Sequence, residues 1–286
     1  MLIHLHLGFH KTGTTYLQKK LDINLLENDD IQYYSRSKIY KTITRPLIER
    51  KSGECSEKDG LKFVKEVLGE NKRLVISEEN ILGAFYSWKE NRFYPNGVDN
   101  IKRLSEVFQN ARFKLFLTVR EHSDWIESMY LQKIKNGYAT DFSNFLQKTD
   151  VKELSFSSLI KDMAAIDCVN EVIVTDYGFF KGDSNRYMNC FEDFVGAELK
   201  KSPDKSLNLS YSDKQFKLAL LGNKMLDKDE VKKLHSFIRK DLNGGEFKKP
   251  CLLSDEQRIQ LNKNYEVDLM EIISSCKASE KIRFLS

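Results

Sequence analysis

The chain has 286 residues, 41% hydrophobic and 31% charged, with a net charge of +4. That length can bury a substantial core, as one large α/β domain or one domain with an appendage. The small positive balance does not by itself point to nucleic acid, and no apolar run approaches the roughly 20 residues of a membrane span.

Residues 2–7, Leu-Ile-His-Leu-His-Leu, read as a short first strand, and a helix is expected over 14–25. His4 and His6 fall on one strand face. Such a pair can hold a metal, but no third ligand is evident, so packing or hydrogen bonding near the following loop is expected. That loop, Gly8-Phe9-His10-Lys11-Thr12-Gly13-Thr14-Thr15, keeps both glycines of G-x-x-x-x-G-K-[ST] and the final hydroxyl at Thr15. Thr14 stands where an NTPase places its lysine; the lysine here is Lys11, inside the loop. In an NTPase the lysine reaches the β/γ-phosphates beside a hydroxyl that holds Mg²⁺. Lys11 points instead across the loop mouth, toward a group leaving a single 5′-phosphate. Strand, glycine turn and helix together aim N–H groups and the positive helix end at an anion.

Arg36, Lys38, Lys41, Arg45, Arg50 and Lys51 face a single acid, Glu49, in a strip that could attract an anionic acceptor or simply be a solvated face. A helix is expected over 61–68 and a strand over 74–77, the latter running directly into Glu78-Glu79-Asn80. Two acids there suit either a ligand-bearing strand end or a helix N-terminus. Residues 85–94 carry Phe85, Tyr86, Trp88, Phe93 and Tyr94, whose rings suit sugar binding or core packing.

A helix over 98–108 and a strand over 113–119 follow, the strand ending at Arg120. The next helix is expected over 124–135, with Asp124 and Glu127 in capping-box relation and Trp125 packing it. Ser128 comes eight residues after Arg120. An arginine at a strand end and a hydroxyl on the next helix can converge on one anion. A helix over 157–166 leads to a strand over 172–175 and then Tyr177. After about residue 180 strand signals fade, and helices are expected over 212–221, 229–240 and 254–273. Alternating strands and helices imply a mainly parallel sheet flanked by helices, in one domain with a helical C-terminal subregion from about residue 205. Cys55, Cys168, Cys190, Cys251 and Cys276 show no C-x-x-C spacing and read as reduced thiols. With the first strand beginning at Leu2 and no signal peptide, a cytoplasmic location is expected.

His10-Lys11-Thr12-Gly13-Thr14-Thr15 resembles the 5′-phosphosulfate loop of sulfotransferases that use 3′-phosphoadenylyl sulfate (PAPS), typically K-[ST]-G-T-T. The strand, Arg120 and Ser128 resemble that family's second motif. The resemblance implies an α/β fold related to P-loop kinases and sulfuryl transfer from PAPS to a hydroxyl, leaving 3′,5′-adenosine bisphosphate (PAP), with no metal. It implies that Lys11, Thr12, Gly13, Thr14 and Thr15 hold the 5′-phosphate and that Arg120 and Ser128 hold the 3′-phosphate. Tyr177 would then lie near adenine or pack in the core. Gly244, Gly245, Lys248 and Lys249 resemble, weakly, a basic loop over the 3′-phosphate, and a solvated turn is the competing reading.

Transfer to a hydroxyl needs a base and a stabilised leaving oxygen. Lys11 can serve the oxygen. Ser77-Glu78-Glu79-Asn80 resembles an S-S-E-N stretch of bacterial members, aligning Glu79 with the family's glutamate; Glu78 replaces a serine. Glu79, His10 and Glu78 stand as base candidates in that order, with His122 a further histidine and His10 alternatively positioning Lys11. A glycan or glycolipid acceptor is preferred, and the sequence is silent on oligomeric state. Two other readings stay open: a P-loop NTP-dependent phosphotransferase, and a non-catalytic PAP- or PAPS-binding protein.

Overall fold

The computed structural model describes residues 1–26, 28–49, 62, 65, 73–201, 210–241 and 247–285. Cys55, Arg50, Lys51, Gly244 and Gly245 lie outside the described residues, as does most of the helix expected over 61–68, of which Lys62 and Lys65 are helical.

Six strands form one parallel sheet: β1 (Leu2–His6), β2 (Ile31–Ser35), β3 (Arg73–Ser77), β6 (Arg112–Val119), β7 (Val169–Asp176) and β8 (Ile282–Leu285), in the order β2-β3-β1-β6-β7-β8. A small antiparallel hairpin pairs β4 (Tyr86–Ser87) with β5 (Arg92–Phe93). The labelled helices are α1 (Thr14–Leu25), α2 (Gly97–Val107), α3 (His122–Lys135), α4 (Phe142–Lys148), α5 (Phe156–Ala164), α6 (Tyr177–Gly182), α7 (Ser184–Val195), α8 (Asp213–Met225), α9 (Lys228–Asp241) and α10 (Asp255–Ala278). Short helical turns fill Arg36–Ile39, Tyr40–Thr44 and Arg45–Glu49.

This is the helix-flanked parallel sheet that the alternating pattern predicts. Two strands are additions to that reading. β2 (IQYYS) mixes polar and aromatic residues at the sheet edge, and β8 corrects the expectation that strands end near residue 180. Four residues after a 24-residue helix give almost no periodicity to read, yet β7 supplies a parallel partner, Val172 facing Ile282.

The chain divides into two compact units. The first comprises Met1–Arg120, Ser155–Lys205 and Glu266–Ser286 and holds the whole sheet. On one sheet face Val75, Phe116 and Ile173 meet Leu17, Leu21 and Leu25 of α1 and Tyr187, Phe191 and Phe194 of α7, all buried. The alternate strand positions Ile3, Leu5, Leu115 and Leu117 are buried as well, so both faces are covered, as a parallel sheet requires.

The second unit, Glu121–Leu154 with Ser206–Tyr265, is helical. Tyr130 packs there among Phe142, Phe145 and Phe216. The capping box expected of Asp124 and Glu127 does not form, because the helix already begins at His122. Glu127 is fully buried instead. It accepts from Arg258 Nη2 at 2.9 Å and from the Leu252 and Leu253 amides, while Lys249 Nζ bridges it and Asp124 at 3.3 and 2.9 Å. A buried carboxylate needs its charge and lone pairs satisfied, and here the tertiary fold brings it two cations and two peptide N–H groups.

Candidate active site

In a parallel sheet every strand delivers its next residues to the same edge, and that edge gathers the site in the first unit. β1 leads into the glycine loop, β3 into Glu78, β6 into Arg120 and β7 into Tyr177. Register ties them closely: His6 faces Ser77 and Phe116, and Val119 faces Asp176. The Glu78 amide donates to the His6 carbonyl at 3.1 Å, joining the acidic segment to the foot of the loop.

The loop is held in an uncommon backbone conformation. Gly8 and Gly13 have φ of 55° and 89°, and Lys11, with a side chain, has φ of 66°. A Cβ at Gly8 would stand 2.3 Å from Thr14 Cγ2, so glycine is required there for close approach as well as for its backbone angle. Thr12 Oγ1 donates to the Phe9 carbonyl at 2.5 Å, and Thr12 and Thr14 are buried while Thr15 is half-buried. Arg120 Nη1 donates to the Lys11 carbonyl at 2.8 Å, across 109 residues of sequence. Its guanidinium lies 4.8 Å from the Tyr177 ring centre, and a Cβ at Gly13 would meet that ring at 3.3 Å. Lys11, Gly13, Arg120 and Tyr177 therefore form one contiguous group. Burial lowers the Lys11 ammonium's pKa, with the Arg120 charge acting in the same direction and Glu79 opposing.

Both carboxylates after β3 are buried, in different settings. Glu79 accepts from Gln18 Nε2 of α1 at 2.5 Å and from Arg36 Nη1 at 3.3 Å. Glu78 Oε1 caps the short turn that follows, accepting from the Asn80 amide at 2.9 Å and from Asn80 Nδ2 at 2.5 Å. Burial pushes the Glu78 carboxyl up to about 7, against the hydrogen bonds from Asn80. His10 receives the Tyr94 hydroxyl on two sides: its own amide donates to that oxygen at 3.0 Å, and Nδ1 lies 3.0 Å from it. Burial holds the His10 imidazole below its usual pKa, the Glu79 charge partly opposing.

Gln18, Arg36, Asn80 and Tyr94 are site residues that the sequence reading did not assign. Gln18 sits one helical turn beyond Thr14, Arg36 belonged to the basic strip, and Tyr94 to the aromatic segment. That segment is mainly core: Phe85, Tyr86, Phe93 and Tyr94 are buried, and Trp88 is exposed. The strip is partly neutralised, since Arg36 meets Glu79, Arg45 meets Glu49 at 2.6 Å, and Lys38 lies over the Tyr34 ring. Ser128 belongs to α3 of the second unit and is half-buried. His122, also there, is fully buried with its ring edge on Tyr265, and Trp125 packs its helix as expected. Lys249 is committed to Asp124 and Glu127, a structural post the weak loop resemblance did not foresee. His4 and His6 are structural: His4 Nδ1 meets the Phe194 carbonyl, and His6 Nδ1 meets Ser77 Oγ at 2.7 Å with its ring against Phe116 and Phe191. Burial pushes His6 down to about 3, so it is neutral.

No protein-family model and no curated protein match the chain. Among solved structures it is similar to a sulfotransferase from Alicyclobacillus acidocaldarius, with a TM-score of 0.45 and 16% identity over 84% of this chain and 97% of that one. A likeness of that size carries no argument about chemistry, which has to come from the residues. No helix among the described residues is long and apolar enough to cross a membrane.

Proposed function

We propose that the chain transfers a sulfuryl group from PAPS to an acceptor hydroxyl, with a glycan or glycolipid as the preferred acceptor class. The observation that carries this reading is the grip of Arg120 on the Lys11 carbonyl, with Tyr177 lying against both Arg120 and Gly13. A cationic strand end built onto a glycine loop suits a nucleotide bearing phosphate at both the 5′ and 3′ positions. Thr14 in the NTPase lysine slot disfavours a γ-phosphate ligand.

In this reading Thr12, Gly13, Thr14 and Thr15 cradle the 5′-phosphate, and Arg120 takes the 3′-phosphate. The acceptor oxygen attacks sulfur in line as the bond from sulfur to the phosphate bridge oxygen breaks. The acceptor proton passes to Glu79, and Lys11 meets the charge growing on the bridge oxygen, leaving PAP. Gln18 and Arg36 orient Glu79 for that task. No metal is needed, since the transferred group has no β/γ-phosphate pair for one to bridge. Calorimetric titration with PAP, against ADP and ATP in chelator, tests the donor site. PAP binding clearly tighter than ADP supports it; comparable ADP or ATP binding, or no PAP binding, refutes it.

A further inference from the structure

The helical second unit holds a histidine whose proton can be placed from the bonds around it. His235 on α9 is buried, and a polar group stands at each ring nitrogen: Tyr211 Oη at 2.8 Å from Nδ1 and Asn223 Oδ1 at 2.8 Å from Nε2. Asn223, on α8, fixes the direction of these bonds. Its Nδ2 lies 2.8 Å from the Ile134 carbonyl, in the last turn of α3, and 3.0 Å from the Tyr138 carbonyl just beyond it. A carbonyl can only accept, so the atom that faces two of them is the amide nitrogen, with both of its hydrogens committed. The end turned to His235 is therefore Oδ1, which only accepts, and the proton of that bond sits on Nε2. A neutral imidazole has one such proton. Nδ1 is then bare and accepts from the Tyr211 hydroxyl, which burial keeps protonated by raising its pKa.

A second proton on this ring is opposed from every side. At Nδ1 it would meet the Tyr211 O–H proton, and the hydroxyl would have to turn away from its acceptor inside the protein, since Tyr211 is only 3% exposed. Among the described residues, the charged groups bearing on the ring are both cations. Arg239 Nε, on α9, donates to the His235 carbonyl at 3.1 Å, and Lys135 Nζ, ending α3, lies 4.7 Å from the Tyr211 ring centre. Burial lowers the His235 pKa most, with Arg239 and then Lys135 acting in the same direction.

We infer that His235 is an acid-sensitive latch: held as the Nε2–H tautomer, it fastens Tyr211 and, through Asn223, the end of α3 to α9, and a second proton on Nδ1 releases Tyr211. Three segments of the unit meet at this one ring, so its release loosens the packing of α8 and α9 against α3. The sign follows from linkage. The unfolded chain takes up the proton near the ordinary value of 6.5 and the folded chain only at lower pH. The latch is whole above about pH 6.5 and fails as pH falls from there. The inference does not rest on the proposed transfer reaction.

The first test is a long-range ¹H–¹⁵N correlation spectrum of the imidazoles at about pH 7.5. One histidine is expected to show protonated Nε2 and a bare Nδ1 whose resonance moves in Tyr211→Phe, which identifies it as His235. A protonated Nδ1 on that ring, averaged tautomers, or no histidine that responds to Tyr211→Phe overturns the inference. The second test is local, because Glu78 titrates in the opposite sense in the other unit. Amide hydrogen exchange of the full chain, corrected for intrinsic rates, is read by mass spectrometry over residues 130–138 and 211–241 at about pH 7.5 and 5.5. Wild type is expected to lose protection there several-fold at the lower pH, and His235→Gln, which cannot titrate, to show no such loss. An equal loss in His235→Gln, or no loss in wild type, overturns the latch. If His235→Gln does not fold, the wild type decides: its loss of protection must share its pH midpoint with the titration of the His235 resonances, and a different midpoint refutes the inference.

Discussion

Glu78 offers a test in which both sign and size follow from burial. Its carboxyl is fully buried and raised from 4.5 to about 7, with desolvation as the main cause. Between those values the folded protein holds a proton that the unfolded chain releases, so stability falls as pH rises through the interval. The cost is absent below about pH 4.5 and complete above about pH 7. At 1.36 kcal/mol per pH unit it amounts to about 3 kcal/mol. Glu78→Gln removes the titration and keeps the oxygen that accepts from Asn80. The variant should therefore match wild type near pH 4 and exceed it by about 3 kcal/mol near pH 8. With a urea m-value of about 3 kcal/mol per M, the midpoint moves up by about 1 M. Urea unfolding followed by far-UV circular dichroism at stepped pH measures the difference. A gap between the two proteins that stays flat with pH, or a wild type that gains on the variant between about pH 5 and 7, refutes the reasoning.

Arg120→Ala removes the grip on the Lys11 carbonyl and the cation over Tyr177. PAP affinity should fall by about 1.5–3 kcal/mol, the worth of charged hydrogen bonds; PAP binding as tight as wild type, measured by calorimetry, would take Arg120 out of the site. Lys11→Ala should reduce PAPS turnover more than PAPS binding, because its contact is assigned to charge that grows during the reaction. Equal losses in rate and affinity would contradict that assignment.

What was legible in the sequence is what short stretches of chain encode. The helix over 14–25 was read at its observed bounds, because the glycine turn and the apolar spacing that start it are adjacent in sequence. The strand ends carrying Glu78, Arg120 and Tyr177 were legible for the same reason, and in a parallel sheet they must share one edge. The misreadings fall where local signals compete with distant partners. Asp124 and Glu127 have capping spacing, yet Arg258 and Lys249, more than a hundred residues away in sequence, claim them. The rings of 85–94 left sugar binding and core packing both open, and burial places most of them in the core.

By itself, the sequence determined the glycine loop after the first strand, the displaced lysine at Lys11 and the parallel α/β architecture, because residue type and spacing suffice for each. Only the tertiary structure decided which groups surround them: Arg120 on Lys11 across 109 residues, Tyr94 on His10 across 84, and Gln18 on Glu79 across 61. Strand order and register set those meetings, and burial then sets the charge states. The fold therefore separates the two neighbouring glutamates, leaving Glu79 held by Gln18 and Arg36 and Glu78 a buried cap whose carboxyl holds its proton up to about pH 7.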